Sequence, residues 1–206
     1  MLILNGQNKN LRGITRMNDM DYSKIINHFY PEDNELRRLL LVHSRAVADK
    51  ALHICDRHPE MNLNRDFVEA AAMLHDIGIM KCDAPGIFCH GTEPYIRHGI
   101  MGAEMLRLLE PSGALEPFAR VCQRHTGAGI TRQEVLEQGL PMPLPDDDSE
   151  PYMPETIEEQ IVCYADKFFS KTKLDREKTM EEVVRSLAKF GTGGVARFQQ
   201  WAQTFE

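Results

Sequence analysis

Four side chains stand where burial and ionisation conflict: His43, the adjacent pair His75 and Asp76, and Asp166. Each falls on the apolar face of a segment with helical spacing. His43 comes a turn after Leu39 and Leu40 and a turn before Val47; His75 comes a turn after Ala71 in the stretch AAMLHDIGIMK; Asp166 lies between Val162 and Phe169 on the same face. Burying such groups costs several kcal/mol per ion unless something compensates them. Taken singly, each has a plain reading as a hydrogen-bonded core residue. Taken together, three separate helices turning ionisable groups inward point to a shared metal ion. Neutral imidazole with carboxylate suits zinc, iron, manganese, cobalt or nickel. Neighbours on a helix point about 100° apart, so His75 and Asp76 can grip one cation only from a helix end that faces a cavity.

The elements that must position these groups are helical. The spacing predicts a long helix through NELRRLLLVHSRAVADKALHICDRH and a second over RDFVEAAAMLHDI, capped by Asn64 and ended by Gly78. Residues 79–96, with Pro85, Gly86, Gly91 and Pro94, read as a loop. RHGIMGAEMLRLLE is a helix stopped by PSG, and ALEPFARVCQRH is another, with Pro117 in its first turn. Residues 126–154 are irregular, with a short helix at 131–138. The run LPMPLPDDDSEPYMP is either a solvated loop or a flap over a site. Three further helices are expected in ETIEEQIVCYADKFFSK, REKTMEEVVRSLAKF and GGVARFQQWAQTFE. With no clear strand run and no repeat, the fold class is all-α. Residues 1–30 are weakly patterned and read as a loose N-terminal arm, ahead of a single domain over 31–206.

The chain has 206 residues, enough for one domain with a real core. A formal charge of −7 leaves no basic footprint for nucleic acid or an anionic membrane, although a few local cations could still hold a small phosphorylated ligand. The apolar opening MLIL is too short for a secretory signal, and no run approaches a membrane span. A cytoplasmic location is expected. The five cysteines (Cys55, Cys82, Cys89, Cys122, Cys163) are odd in number and irregularly spaced, so they are expected to be reduced and mostly buried.

The order H…HD…D in an all-helical chain resembles the HD-domain superfamily of metal-dependent phosphohydrolases. Here the motif is His43, His75–Asp76 and Asp166, and Ile77–Gly78 complete an HDIG signature. The segments RHGIMGAE and QRHTGAGIT resemble those that, in dinuclear members, place two more histidines on a second metal. IVCYADKFFSK resembles the helix that bears the last aspartate. The likeness spans about residues 36–171 and is nearest to small stand-alone HDIG proteins and to bacterial hydrolases that split diadenosine tetraphosphate. It implies that Asp76 bridges two metals, with His43, His75 and Asp166 on one and His98 and His125 on the other. His28, His53, His58 and His90 match nothing in the pattern.

Two such metals would make hydroxide available near neutral pH and bind a phosphoryl oxygen. The expected reaction is therefore hydrolysis of a phosphate ester or anhydride in a small nucleotide-like substrate, using one or two divalent transition-metal ions. His75, Asp76 and Lys167 are the catalytic candidates, and Lys81, Arg97, Arg124 and Lys171 the substrate-binding ones. Lys167 and Lys171 are expected to line the rim from one helix. Lys81 departs from the family pattern, because Ile79 stands where many relatives have a basic residue. Two alternatives remain: a di-iron oxygenase, whose ligand types are the same, and a non-catalytic nucleotide-sensing module. Self-association is left open.

Overall fold

The computed structural model describes residues 21–206. Its helices are α1 (Tyr22–Phe29), α2 (Glu35–Arg57), α3 (Arg65–Leu74), α4 (His98–Leu109), α5 (Glu116–Arg124), α6 (Arg132–Gln138), α7 (Ile157–Asp166), α8 (Met180–Leu187) and α9 (Thr192–Phe205). Two small antiparallel hairpins join them: β1 (Asp83–Ala84) with β2 (Cys89–His90), and β3 (Phe169–Ser170) with β4 (Lys173–Glu177). The architecture is all-α with these two hairpins as connectors.

Polar side chains set most of the helix starts. Asn34 and Asn64 accept hydrogen bonds from the Arg37 and Phe67 amides, and Thr156 accepts one from Glu159. Thr131 with Glu134, and Thr179 with Glu182, form reciprocal capping boxes. Such a cap contributes about 1 kcal/mol. α2 lies against α3 and α7, and α4 packs on α5. The main core runs between them through Leu40, Val47, Val68, Leu74, Phe118 and Tyr164. A second apolar cluster joins Ile100, Ile130, Val135, Met142 and Tyr152, and so anchors the proline-rich segment at Met142 and Tyr152 while Asp146–Glu150 stay exposed.

Four expectations are corrected. The domain does not begin at residue 31, because Ile25 and Ile26 of α1 are fully buried and α1 packs on α3. Their two adjacent apolar side chains were too short a signal to mark a helix; residues 1–20 of the expected arm lie outside the described residues. The last ligand-bearing helix stops at Asp166 rather than continuing to Lys171. The Lys167 and Phe168 amides turn back onto the Tyr164 and Ala165 carbonyls, and the chain then enters β3. Residues 173–177 are strand, paired with β3, and the helix that follows starts only at Met180. Finally, Gly78 does not end α3 by a left-handed cap, since its φ is −86°. Glycine is required there by close packing. A Cβ would sit 2.2 Å from the Gly102 nitrogen and 2.3 Å from the His98 carbonyl oxygen.

Candidate metal centre

All six expected ligands converge, five of them at helix ends. His75 caps α3, Asp76 follows it in the turn, His98 opens α4, His125 caps α5 and Asp166 closes α7; His43 alone sits inside a helix. A helix end brings two neighbouring side chains to one cavity, which a continuous helix does not. All six are at least nine-tenths buried.

The two oxygens of Asp76 face different partners. Oδ2 lies 3.1 Å from His43 Nε2 and 3.2 Å from His75 Nε2. Oδ1 lies 3.4 Å from His98 Nε2 and 3.5 Å from His125 Nε2. Asp166 Oδ1 completes the first group, 3.0 Å from His43 and 3.5 Å from His75. Two donor sets thus share Asp76: His43, His75, Asp76 and Asp166, and Asp76, His98 and His125, each with its donor atoms within 4.8 Å of one another.

The donor set fits metal ions on three observations. First, His75, His98 and His125 each direct Nδ1 to the carbonyl three residues earlier, at 2.6, 2.7 and 2.7 Å (Ala72, Tyr95, Cys122). With Nδ1–H donating, Nε2 is the nitrogen turned to the centre, the orientation that metal-ligating histidines use. Second, both Asp76 oxygens and His75 Nε2 are buried without a hydrogen-bond partner of acceptable geometry. Third, His98 Nε2 and His125 Nε2 lie 2.9 Å apart. Two imidazole nitrogens on one ion at a right angle would be about 2.9 Å apart.

Electrostatics follow the same division. Burial, reinforced by His125, pulls His98 down to about 3, and burial also lowers His125. Both stay neutral and able to donate to a cation. Burial pulls His75 the same way, but the Asp76 and Asp166 carboxylates outweigh it and raise His75 to about 9. Burial opposes ionisation of Asp76 and Asp166 as well, yet Lys171 with His75 for Asp76, and Lys167 with Lys171 for Asp166, hold both well below the usual carboxylate range.

A cleft of about 560 Å³ opens beside the centre. Lys167 and Lys171 line it, from the end of α7 and the β3–β4 turn rather than from one helix. Lys167 Nζ is 2.7 Å from Asp166 Oδ2 and donates to the His125 carbonyl; Lys171 Nζ is 2.6 Å from Asp76 Oδ2, out of line for a hydrogen bond. The other three expected substrate contacts lie elsewhere. Arg124 is bound to Glu155 and the buried Glu159 at 2.8 and 3.1 Å, Arg97 to Glu93 at 2.7 Å, and Lys81 is exposed, its carbonyl accepting from the Thr92 and Glu93 amides. Arg97 and Arg124 each stand one position before a candidate ligand histidine, and a side chain one position away on a helix turns to another face.

The sequence also hid several contributors. The Tyr95 ring stacks on His98 at 4.7 Å. Tyr30, from the stretch read as an arm, donates to the Ile77 carbonyl at 2.8 Å and accepts from the Met80 amide, bracing the turn that bears Asp76. The Cys122 and Cys163 thiols donate to the Leu74 and His125 carbonyls. All five cysteines are free and buried. Only adjacency to the motif could have flagged Tyr95; Tyr30 had no signal.

A helical domain that gathers four histidines and Asp166 around the shared carboxylate of Asp76 carries the donor arrangement of a His–Asp metal site. A family model described as HD domain matches residues 40–170, a span that includes all six candidate donors, and the chain belongs to that family. An uncharacterized protein of Methanocaldococcus jannaschii is 35% identical over 149 residues, 71% of this chain and 74% of that protein. A tRNA (cytidine(56)-2'-O)-methyltransferase of Picrophilus torridus is 32% identical over 174 residues, 81% of this chain and 44% of that protein. The protein of the same name from Thermoplasma volcanium is 32% identical over 152 residues, 74% of this chain and 37% of its own length. The chain therefore spans less than half of either methyltransferase. No solved structure gives a significant match. Among the described residues no helix is long and apolar enough to cross a membrane.

Proposed function

We propose that this chain is a metal-dependent phosphohydrolase acting on a phosphate ester or anhydride of a small nucleotide-like substrate. The supporting observation is the two-faced Asp76 beside a cation-lined cleft: one carboxylate serving two donor sets, with Lys167 and Lys171 at its edge. Divalent ions held there would supply Lewis acidity toward a phosphoryl oxygen and a lowered pKa for water. The chain's own residues do the rest. His43, His75 and Asp166 hold one position, His98 and His125 the other, and Asp76 sets their spacing. Lys167 and Lys171 offset phosphate charge at the cleft mouth, a role that phosphoryl transfer asks of local cations. The cleft's volume lies within the range of small-molecule sites.

The family contains the alternative of a di-iron oxygenase with the same ligand types. The lysines of the cleft (Lys167, Lys171 and Lys178) favour the phosphate reading, while Arg197 in the same lining is engaged by Glu134 at 2.7 Å. A non-catalytic sensing module has no need of a complete donor set open to a cleft. The methyltransferase names belong to proteins of which less than half is matched, and they lend this chain no methyl-transfer reading. The test is a pair of assays on anaerobically prepared protein loaded with manganese or iron: phosphate release across a nucleotide panel, and oxygen uptake with small alcohols and phosphonates. Phosphate release with manganese, lost in Asp76→Ala and weakened in Lys167→Ala, is expected. Substrate-dependent oxygen uptake with iron and no phosphate release would overturn the reading in favour of the oxygenase.

A further inference from the structure

A second depression of about 270 Å³ lies next to the cleft, between the β3–β4 hairpin and α8. Lys173, Arg176 and Lys178 enter it from β4 and the residue after it, and Arg185 and Lys189 from α8 and the turn beyond. Its single acidic side chain among the described residues is Glu182. That carboxylate is already engaged by the Arg176 guanidinium at 2.9 and 3.1 Å and by the Thr179 amide at the start of α8. Lys173, Arg185 and Lys189 make no ion pair among the described residues. In a chain of net charge −7, five cations on one small saddle are a local inversion of sign.

Strand and helix periodicity produce this sorting. On β4, alternation sends Arg176 and Lys178 to the saddle and leaves Asp175 and Glu177 on the opposite side, where Glu177 meets Lys50 of α2 at 2.9 Å; Lys173, of the other parity, enters the saddle from the start of the strand, across the register shift in its pairing with β3. On α8 the three- and four-residue spacing of Glu182, Arg185, Ser186 and Lys189 gives one face, and Glu181 falls on another. Lys178 and Ser186 line both the saddle and the cleft, and Lys178 Nζ donates to the Lys167 carbonyl at 3.0 Å. The cations therefore form one path, from Lys171 and Lys167 at the metal centre, past Lys178, to the saddle.

We infer that the saddle is a second anion site that anchors a distal phosphate of the substrate, so that the substrate class is a small molecule with two or more phosphate groups, one set at the metal centre and another held by Lys173, Arg176, Arg185 and Lys189. This assignment rests on the phosphohydrolase reading for its reacting end, while the saddle itself binds phosphate whether or not any bond is cleaved. The depression is large enough for a phosphate or two and too small to follow a nucleic-acid backbone.

The test separates these two levels. Chelator-treated protein at low ionic strength is titrated calorimetrically with inorganic tripolyphosphate, wild type against the Lys173→Ala/Lys189→Ala double variant. The variant's Kd should rise at least about tenfold, as loss of two charge-assisted contacts requires, with an unchanged melting temperature as the check on folding. Manganese-loaded protein should then show a matching rise in KM for tripolyphosphate at nearly constant kcat. Equal binding by wild type and variant would overturn the inference. So would displacement from the saddle by orthophosphate that leaves tripolyphosphate turnover untouched, which would make it an effector site. Tight binding of a single-stranded RNA oligonucleotide, lost in the variant while tripolyphosphate binding is not, would overturn it in favour of a nucleic-acid surface. Saddle-dependent binding with no phosphate released from any compound would uphold the anion site and sink only the hydrolase reading.

Discussion

Tyr30→Phe isolates the link between the first described helix and the metal-bearing turn. The ring is buried, so phenylalanine preserves the apolar contact and removes only the hydroxyl. That hydroxyl donates to the Ile77 carbonyl at 2.8 Å and accepts from the Met80 amide at 3.3 Å. Its loss leaves a buried carbonyl without a donor and an amide without an acceptor, which costs about 1–3 kcal/mol. For a domain of this size each kcal/mol lowers Tm by about 2–4 °C, so the chelator-treated variant should melt roughly 2–12 °C below wild type. Ile77 directly follows Asp76, so manganese affinity should fall as well. Partners behind the ligands are typically worth 10–100-fold in metal affinity, and the indirect path through the turn places the effect at or below the low end, about tenfold. The assay is differential scanning calorimetry with and without manganese, followed by a metal titration. A Tm within 1 °C of wild type in the chelated sample would refute the claim that this hydroxyl braces the turn.

Three further outcomes are expected. Wild-type protein loaded with manganese or iron should hold up to two ions per chain by plasma emission, His98→Ala or His125→Ala about half of that, and Asp76→Ala little or none; equal losses in all three would argue against a shared carboxylate. Gly78→Ala should cost about 3 kcal/mol or more in denaturant unfolding, because its Cβ meets main-chain atoms of Gly102 and His98 that cannot rotate away, while Gly86→Ala, open on all sides, should stay within about 0.5 kcal/mol. Metal-free protein should lose stability on the alkaline side. His75 is raised from 6.5 to about 9 by its carboxylate neighbours, so its contribution, on the order of 3 kcal/mol, is fully present below pH 6.5 and is lost as pH rises through about 9. His98, lowered to about 3, acts oppositely, contributing above pH 6.5 and failing as pH falls toward 3. Metal loading should abolish the alkaline decline in Tm, and a decline that persists in fully loaded protein would count against His75 as a ligand.

The sequence by itself determined the helices that hold the ligands, because their apolar periods and caps are local. Asn34 and Asn64 start α2 and α3 where their side chains can reach an amide three residues on, and His43 and Asp166 fall on the inward face by period alone. Four of the candidate ligands, His43, His75, Asp76 and Asp166, were legible because ionisable groups on apolar faces are costly, whereas His98 and His125 were legible only through the family resemblance. Tertiary structure decided what depends on partners far away in the chain. α1 is ordered by burying Ile25 and Ile26 against α3, and too few residues carry that signal to be read locally. Asp166 ends its helix because the following residues pair with β4, which turns Lys171 toward Asp76 instead of along the helix rim. Arg97 and Arg124 looked like substrate contacts until Glu93, Glu155 and Glu159 claimed them. Lys167 and Lys171 have carboxylate partners too, but these are Asp166 and Asp76 of the centre itself, so the pairing keeps both cations at the cleft. Charge alone does not say which anion a cation will meet; only the packed chain brings it within 3 Å.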